Sequence, residues 1–273
     1  MRLQEKLKQL SSQGVGILAT NFYNFETLSG VLQAAAALKK PLILQLTKSS
    51  IDYMGLQIAV DLARAGLREY GVEGWLHLDH GDSPDLIERC LHAGFDSVMI
   101  DASEKPFDEN VRLTSQVVRM AERFDANVEA ELGFVAKLGQ SNMEDGFTGP
   151  SEAGEFVKAT GVDALAIAIG SAHGFYQAEP NLQMDRLSEI RNSTGAVLVL
   201  HGSSGIPASQ VKEAIRRGIC KVNLATEIKD IFMSQLKVEL SKGDEIDLRK
   251  VFPPATGSIK KLVMQKIQMV SDI

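Results

Sequence analysis

Eight short runs rich in apolar and β-branched residues recur along this sequence, and a helical pattern lies between one run and the next. Most of the runs are continuously apolar, which is typical of parallel strands covered on both faces. This alternation predicts an α/β fold built on a parallel sheet. The predicted strands are Gly16–Phe22, Pro41–Thr47, Trp75–His80, Ser97–Ser103, Asn127–Gly133, Ala164–Gly170, Ala196–Gly202 and Lys221–Thr226.

Helix boundaries are visible between the strands. Ser83 is a capping residue type, Pro84 suits the first helical position, and Gly94 predicts the end of the same helix. The first residues of the chain predict a short helix before the first strand. One side of that helix is formed by Leu3, Leu7 and Leu10.

Eight strand–helix units without an intervening linker predict one domain over residues 1–273, closed as a (β/α)8 TIM barrel. The alternative is an open, doubly wound sheet. However, the glycine-rich dinucleotide fingerprint does not follow the first strand. A domain of this size buries roughly three quarters of its unfolded surface, so its stability does not require a disulfide or a metal.

The charge, hydropathy and cysteine content of the chain limit the classes of function and location that we expect for it. The chain has 29 basic and 35 acidic residues and a net charge of −6, which disfavours a general nucleic-acid binder but not a phosphate ligand. No apolar run approaches the ~20 residues of a membrane helix, and the N-terminus lacks a signal-peptide pattern. The two cysteines, Cys90 and Cys220, favour a reducing compartment. We therefore expect a cytoplasmic protein.

Three of the five histidines occupy equivalent positions. His80, His173 and His201 lie at or just after the ends of the third, sixth and seventh predicted strands. In a barrel these ends converge on one mouth, where three neutral imidazoles would bind Zn2+ and leave one coordination position open. The alternative is that each histidine hydrogen-bonds to a nearby backbone group. We expect structural roles for His77 and His92.

Carboxylates cluster at the same predicted rim. Asp79 adjoins His80 and could exchange protons with a metal-bound substrate. Asp101 and Glu131 end the fourth and fifth strands, and alternation places Glu129 on the same face as Glu131. For these acids the sequence leaves direct catalysis, metal ligation and support of a ligating histidine open.

Small and hydroxylated residues follow the last two strands, at 202–205 and 223–226. Such turns let backbone N–H groups approach an anion, at the usual phosphate site of this fold, although an ordinary strand-to-helix turn has the same composition. Beside a metal, they predict that a phosphorylated carbonyl compound is held and polarised. The polar stretch 134–149 is either a surface connection or a lid that carries Glu144 or Asp145.

Six motifs occur here in one order and spacing. The sequence resembles the class II, metal-dependent ketose-bisphosphate aldolases, including fructose- and tagatose-bisphosphate aldolases, over essentially its whole length. The motifs are Leu-Asp-His-Gly at 78–81, Met-Ile-Asp at 99–101, Glu-Ala-Glu-Leu-Gly at 129–133, Gly-Ser-Ala-His-Gly at 170–174, Leu-His-Gly-Ser-Ser-Gly-Ile-Pro at 200–207 and Lys-Val-Asn-Leu-Ala-Thr-Glu at 221–227.

The resemblance implies reversible cleavage of a ketose (bis)phosphate, of the fructose 1,6-bisphosphate type, to dihydroxyacetone phosphate and an aldehyde. The reaction would pass through a zinc-stabilised enediolate, without a lysine Schiff base. Zinc would be held by His80, His173 and His201. Asp101 and Glu131 would be nearby alternative metal ligands or partners of the ligands. Family members form homodimers, homotetramers or larger assemblies, often with a monovalent cation, Na+ or K+, near the site.

The resemblance also assigns the remaining site residues. Asp79 would act as acid and base on the C4 oxygen, and Glu144 in a flexible loop would handle the C3 proton. Lys229, together with Arg249 from a neighbouring subunit, would reach the far end of the substrate. The dihydroxyacetone-phosphate site would be formed by Asn21, Thr47, Gly174, Gly202, Ser204, Asn223, Ala225 and Thr226.

Three departures from the family pattern affect the aldehyde half of the site. The residues after the Glu-Leu-Gly motif lack the usual Gly-Gly pair, Gln177 stands where many members have lysine, and the turn at 48–50 differs. The aldehyde is therefore either a phosphorylated triose or one that bears a carboxylate or sulfonate. A sugar-phosphate isomerase or epimerase, and a non-catalytic barrel that binds a phosphorylated ligand, are the alternative functions.

Overall fold

A closed barrel of parallel strands forms the centre of the computed structural model, which describes residues 1–133, 146–176 and 180–273. The strands pair in chain order, and β1 pairs with β8 to close the barrel. The predicted TIM barrel is confirmed. The strands are β1 Ile17–Asn21, β2 Leu42–Thr47, β3 Gly74–Gly81, β4 Ser97–Ile100, β5 Asn127–Leu132, β6 Ala164–Ile167, β7 Val197–Leu200 and β8 Ile219–Leu224.

Helices surround the barrel and begin and end where the sequence has boundary signals. The Ser83 hydroxyl accepts a hydrogen bond from the Leu86 N–H, and Gly94 ends that helix in the left-handed conformation. The α-helices are α1 Leu3–Ser12, α2 Phe25–Leu38, α3 Lys48–Met54, α4 Leu56–Glu69, α5 Pro84–Ala93, α6 Phe107–Ala121, α7 Pro150–Thr160, α8 Met184–Ser193, α9 Ala208–Arg216, α10 Thr226–Leu240, α11 Leu248–Val251 and α12 Pro253–Ser271.

The predicted N-terminal helix, α1, closes the lower end of the barrel. Its Leu3 and Leu7 are buried against apolar residues inside the base, among them Ile43 and Val199. The Trp75 indole N–H donates to the Met1 carbonyl at 3.2 Å and ties the N-terminus to the same end. The barrel is therefore packed below, and its opposite end is left to form a site.

Six of the eight strands end one to three residues earlier than the sequence predicts, β4 and β7 among them. β4 ends at Ile100 and β7 at Leu200, so Asp101 and His201 lie just beyond the last ladder positions. The Asp101 N–H donates to the Gly81 carbonyl at 2.9 Å, which is the last ladder hydrogen bond between β3 and β4. The side chains after these strands are thus free to converge at the mouth. Within the described ranges, none of the helices combines the length and apolar character that a bilayer-spanning segment needs.

Candidate active site

The three predicted histidine ligands meet at the mouth of the barrel. The ring centroids of His80 and His201 are 4.8 Å apart, and those of His80 and His173 are 5.1 Å apart. One nitrogen from each of the three rings lies within 4.8 Å of the others. His80 in β3 and the two histidines that follow β6 and β7 therefore come close enough to share one ion. His80 also forms a second group of this kind, with Asp101 and Glu131.

An irregularity in β3 lets two consecutive residues face the cavity. In a regular strand, Asp79 and His80 would point to opposite faces. The β3–β4 register shifts between Leu78 and Gly81, and His80 has a φ of 52°, which is uncommon for a residue other than glycine. A Cβ at Gly81 would lie 2.5 Å from the Met99 carbonyl oxygen, so the irregularity needs glycine there.

Hydrogen bonds to carboxylates determine which ring nitrogen of His80 and of His201 is available to bind a metal. His80 Nδ1 lies 2.7 Å from an Asp101 oxygen, and His201 Nε2 lies 2.9 Å from a Glu129 oxygen. Each carboxylate accepts an N–H, which leaves lone pairs on His80 Nε2 and His201 Nδ1. These two nitrogens face each other at 3.1 Å, where a proton or a cation must offset their repulsion. The donor set therefore fits a divalent metal ion.

The pKa values of His173 and His80 shift in opposite directions. Burial lowers the pKa of His173 to about 3, so its imidazole is neutral. Burial would also lower the pKa of His80, but the hydrogen bond to Asp101 and the nearby carboxylates outweigh it and raise that pKa to about 9. In the metal-free protein, a proton therefore occupies His80 at neutral pH and must leave when a metal binds.

Asp79 is buried beside the histidines and is held by three amide groups. It accepts hydrogen bonds from Asn21 and Gln45, each at 3.0 Å, and from Asn223 at 3.4 Å. Burial would raise the pKa of Asp79, but nearby positive charge, with His80 the largest source, keeps it below the usual aspartate value. The side chain is thus a carboxylate at neutral pH and can accept a proton.

An ion pair lies beneath this layer, inside the barrel. Lys221 Nζ is 2.7 Å from a Glu129 oxygen, and the two side chains are 1% and 0% exposed. Lys221 Nζ also lies 3.3 Å from His77 Nε2, and the other ring nitrogen of His77 is 2.7 Å from Ser97 Oγ. His77 therefore takes part in the buried network, in agreement with the structural role expected for it. Since Glu129 also contacts His201, the network reaches the histidine cluster.

A cavity of about 540 Å³ opens above the histidines and collects most of the predicted site residues. Among the described residues, His201 lies just beneath the cavity lining and is fully buried. Residues not predicted from the sequence also line it: Tyr23, Ser49, Ser103, Glu104 and Ser203. The predicted residues that line it are Asn21, Thr47, Asp79, His80, Asp101, Glu131, His173, Gly174, Gly202, Ser204, Asn223, Ala225, Thr226 and Lys229.

Besides His201, two predicted residues are not among those lining the cavity. Glu144 lies outside the described residues. Arg249 lines a separate groove that includes Phe25 and Phe252, and its guanidinium pairs with Asp247 at 2.9 Å. In this chain Arg249 therefore does not reach the cavity. A role for it would require a second subunit, as the resemblance implies.

The turns after β7 and β8 form a cradle of backbone and hydroxyl groups. Glu227, in the first turn of α10, accepts hydrogen bonds from the Gly205 N–H at 2.8 Å and from Lys266 Nζ at 2.7 Å. Lys229 lies two residues farther along α10, with its Nζ 5.7 Å from the centre of the Tyr23 ring. A helix N-terminus beside small residues and a lysine is suited to hold an anion.

Comparison with known proteins identifies the family. The sequence model of the class II fructose-bisphosphate aldolases matches residues 1–272. The chain belongs to this family. A relative from Bacillus subtilis (strain 168), named a probable fructose-bisphosphate aldolase, is 40% identical over 272 residues, which cover 97% of this chain and 95% of the relative.

Solved structures show the same architecture. The YdjI aldolase from Escherichia coli K12 superposes with a TM-score of 0.89 at 30% identity, over 98% of this chain and 96% of that one. The fructose-bisphosphate aldolase from Campylobacter jejuni has a TM-score of 0.85 at 21% identity, covering 98% and 93% of the two chains, and supports the fold alone.

As a member of this family, the protein is a class II aldolase, a carbon–carbon lyase. The predicted type of enzyme is confirmed, and the isomerase, epimerase and non-catalytic alternatives are not supported. Enzymes of the family are metal-dependent and act on phosphorylated sugars. The histidine and carboxylate groups at the mouth are the candidate metal site in this chain.

Proposed function

We propose that this aldolase reversibly cleaves a ketose (bis)phosphate of the fructose 1,6-bisphosphate type into dihydroxyacetone phosphate and an aldehyde. One observation carries the proposal. A cluster of three imidazoles, the buried carboxylate of Asp79 and an anion cradle all line or adjoin one cavity. Cleavage of a phosphorylated ketose needs these three elements, since it requires a polarised carbonyl, a proton acceptor and a phosphate site.

The proposed metal ligands are His80, His173 and His201, and the proposed ion is Zn2+. Three imidazole donors are typical of catalytic zinc sites, which keep one position open for substrate. When bound, the ion would supply Lewis-acid polarisation of the C2 carbonyl and stabilise the negative charge that develops during cleavage. Asp101 and Glu131 are proposed as alternative metal ligands, because they form the second donor group with His80.

Asp79 is proposed to take the C4 hydroxyl proton during cleavage and to return it during condensation. Its lowered pKa keeps it ready to accept that proton. The amides of Asn21 and Gln45 restrain the carboxylate, so that its orientation is set before substrate arrives. Glu144 is proposed, from the resemblance, to handle the C3 proton.

The cradle is proposed to bind the phosphate of dihydroxyacetone phosphate. Gly202, Ser204 and Thr226 contribute to its lining, and Lys229 supplies a positive charge at the same side. Lys229 and the partner's Arg249 are also proposed to reach the far end of the substrate. The resemblance supports a homodimer or homotetramer, a Na+ or K+ ion near the site and a cytoplasmic location as further parts of the proposal.

Release of dihydroxyacetone phosphate tests the proposal directly. Purified enzyme is given fructose 1,6-bisphosphate, tagatose 1,6-bisphosphate and ketose phosphates whose aldehyde half carries a carboxylate or sulfonate, and product is followed with an NADH-coupled dehydrogenase. We expect release from at least one substrate, loss of activity with a strong chelator and recovery with Zn2+. Full activity in the chelated enzyme, or covalent trapping by borohydride with substrate, would contradict the mechanism.

A further inference from the structure

The loops that follow β6 and β7 touch each other through their backbones. Gly202 has a φ of 65°, and a Cβ at this position would lie 2.6 Å from the Ala172 carbonyl carbon and 3.0 Å from the Ala172 nitrogen. Only glycine permits this approach. Ala172 immediately precedes His173, and Gly202 immediately follows His201, so the contact joins the segments next to two of the three histidines.

One phenol bridges the same two loops. The Tyr176 hydroxyl oxygen accepts a hydrogen bond from the Ala172 N–H at 2.6 Å and donates one to the Gly202 carbonyl at 2.8 Å. Its ring packs against the main hydrophobic core and lies 3.4 Å from where a Cβ on Gly205 would be. The hydroxyl is therefore held by a ring that has little freedom to move away.

The bridge requires a protonated hydroxyl in this environment. Burial raises the pKa of Tyr176, so the group remains a donor at neutral pH. Ala172 is fully buried, and a buried backbone N–H without a partner is costly. Replacement of Tyr176 by phenylalanine would keep the ring but deprive the Ala172 N–H and the Gly202 carbonyl of this partner.

We propose that Tyr176 is a positioning residue whose hydroxyl fixes the separation of His173 and His201. The same two loops carry Gly174 and Gly202 of the proposed dihydroxyacetone-phosphate site. One side chain that is not among those lining the cavity would thus set the geometry for both. The inference rests on the proposed metal centre but concerns a residue to which the resemblance assigns no role.

The test compares Tyr176→Phe with a matched control, Tyr70→Phe. The Tyr70 hydroxyl also forms a hydrogen bond, with Ser29 Oγ at 2.7 Å, but Tyr70 lies just after α4 and is not among the residues lining the cavity. Affinities for Zn2+ and Co2+ are measured by competition with a chromogenic chelator. We expect Tyr176→Phe to weaken binding by about tenfold or more, as is usual when a supporting hydrogen bond near a metal ligand is lost. Tyr70→Phe should leave the affinity unchanged.

Three further readouts separate positioning from general stability. The visible absorption spectrum of the Co2+ protein should change in Tyr176→Phe and not in Tyr70→Phe, although both variants lose a tyrosine hydroxyl. With saturating metal, Tyr176→Phe should raise KM for dihydroxyacetone phosphate in the condensation direction more than it lowers kcat. Hydrogen exchange at the Ala172 amide, measured without metal, should accelerate in Tyr176→Phe alone.

The outcomes distinguish this inference from the proposed function. If wild-type protein binds the ions and Tyr176→Phe binds them equally well with an unchanged spectrum, the positioning role is wrong and the proposed function stands. If wild-type protein binds no divalent ion, the proposed function is wrong, and unchanged exchange at Ala172 would overturn the bridge as well. Should Tyr176→Phe fail to fold, Gly202→Ala forces the same loops apart and should weaken metal binding; unchanged binding there overturns the role.

Discussion

Replacing Lys221 with methionine removes the positive member of the ion pair inside the barrel and leaves Glu129 buried without a counter-charge. The two side chains are 1% and 0% exposed, and their charged atoms are 2.7 Å apart, so water cannot replace the lost partner. Breaking a buried pair costs about 3–5 kcal/mol. For a chain of this size, that corresponds to a fall in Tm of roughly 6–20 °C.

The double variant Lys221→Met/Glu129→Gln makes the prediction specific. With both charges removed, no buried charge is left without a partner, so the double variant should be more stable than either single variant. The coupling energy between the two substitutions should be about 3 kcal/mol. Unfolding by urea is followed in the metal-free protein, which excludes any contribution from bound metal. Lys237→Met, at an exposed lysine of α10, is the control and should change stability by less than about 0.5 kcal/mol. Additive losses in the double variant would refute this account of the pair.

Three further predictions concern activity and metal binding. Asp79→Asn should lower kcat by about 10²–10⁴-fold, and near-normal turnover would remove Asp79 from proton transfer. Because the pKa of His80 is raised to about 9, a proton competes with the metal below that pH. The affinity for Zn2+ should rise about tenfold per pH unit from about pH 7 and level off near 9; a flat profile in chelator competition would contradict this. Lys266→Met removes the cation that neutralises Glu227 beside the Gly205 N–H, which leaves a negative charge near the proposed phosphate site. KM for dihydroxyacetone phosphate should therefore rise several-fold with little change in kcat. An unchanged KM would count against the cradle.

The sequence predicts the barrel and much of the convergence at its mouth because both follow from local patterns. Continuous apolar runs indicate strands covered on both faces, and the ends of parallel strands in a barrel must meet. The positions of His80, His173 and His201 relative to those ends were therefore enough to predict that their rings meet. Their roles as ligands stay predictions.

Features that depend on contacts between distant segments were missed. Lys221 lies in an apolar strand, and its partner Glu129 is 92 residues away, so only the assembled barrel reveals the pair. Alternation along β8 places Lys221 on the face of Asn223, which was the available signal. The turn of His80 toward the mouth arises from a register shift that strand periodicity cannot show. Gln45 could have been found, since it lies on the face of Thr47, already assigned to the site.

Apolar packing closes the base of the barrel, so the cavity described above opens at the opposite end. Because Leu3 and Leu7 fill the lower end, we expect substrate and products to enter and leave through the upper opening. The order in which products depart is therefore constrained by which of them sits nearer that opening. Met1 lies at the closed end of the barrel, so attaching the enzyme to a surface through Met1 would leave the upper opening accessible to substrate.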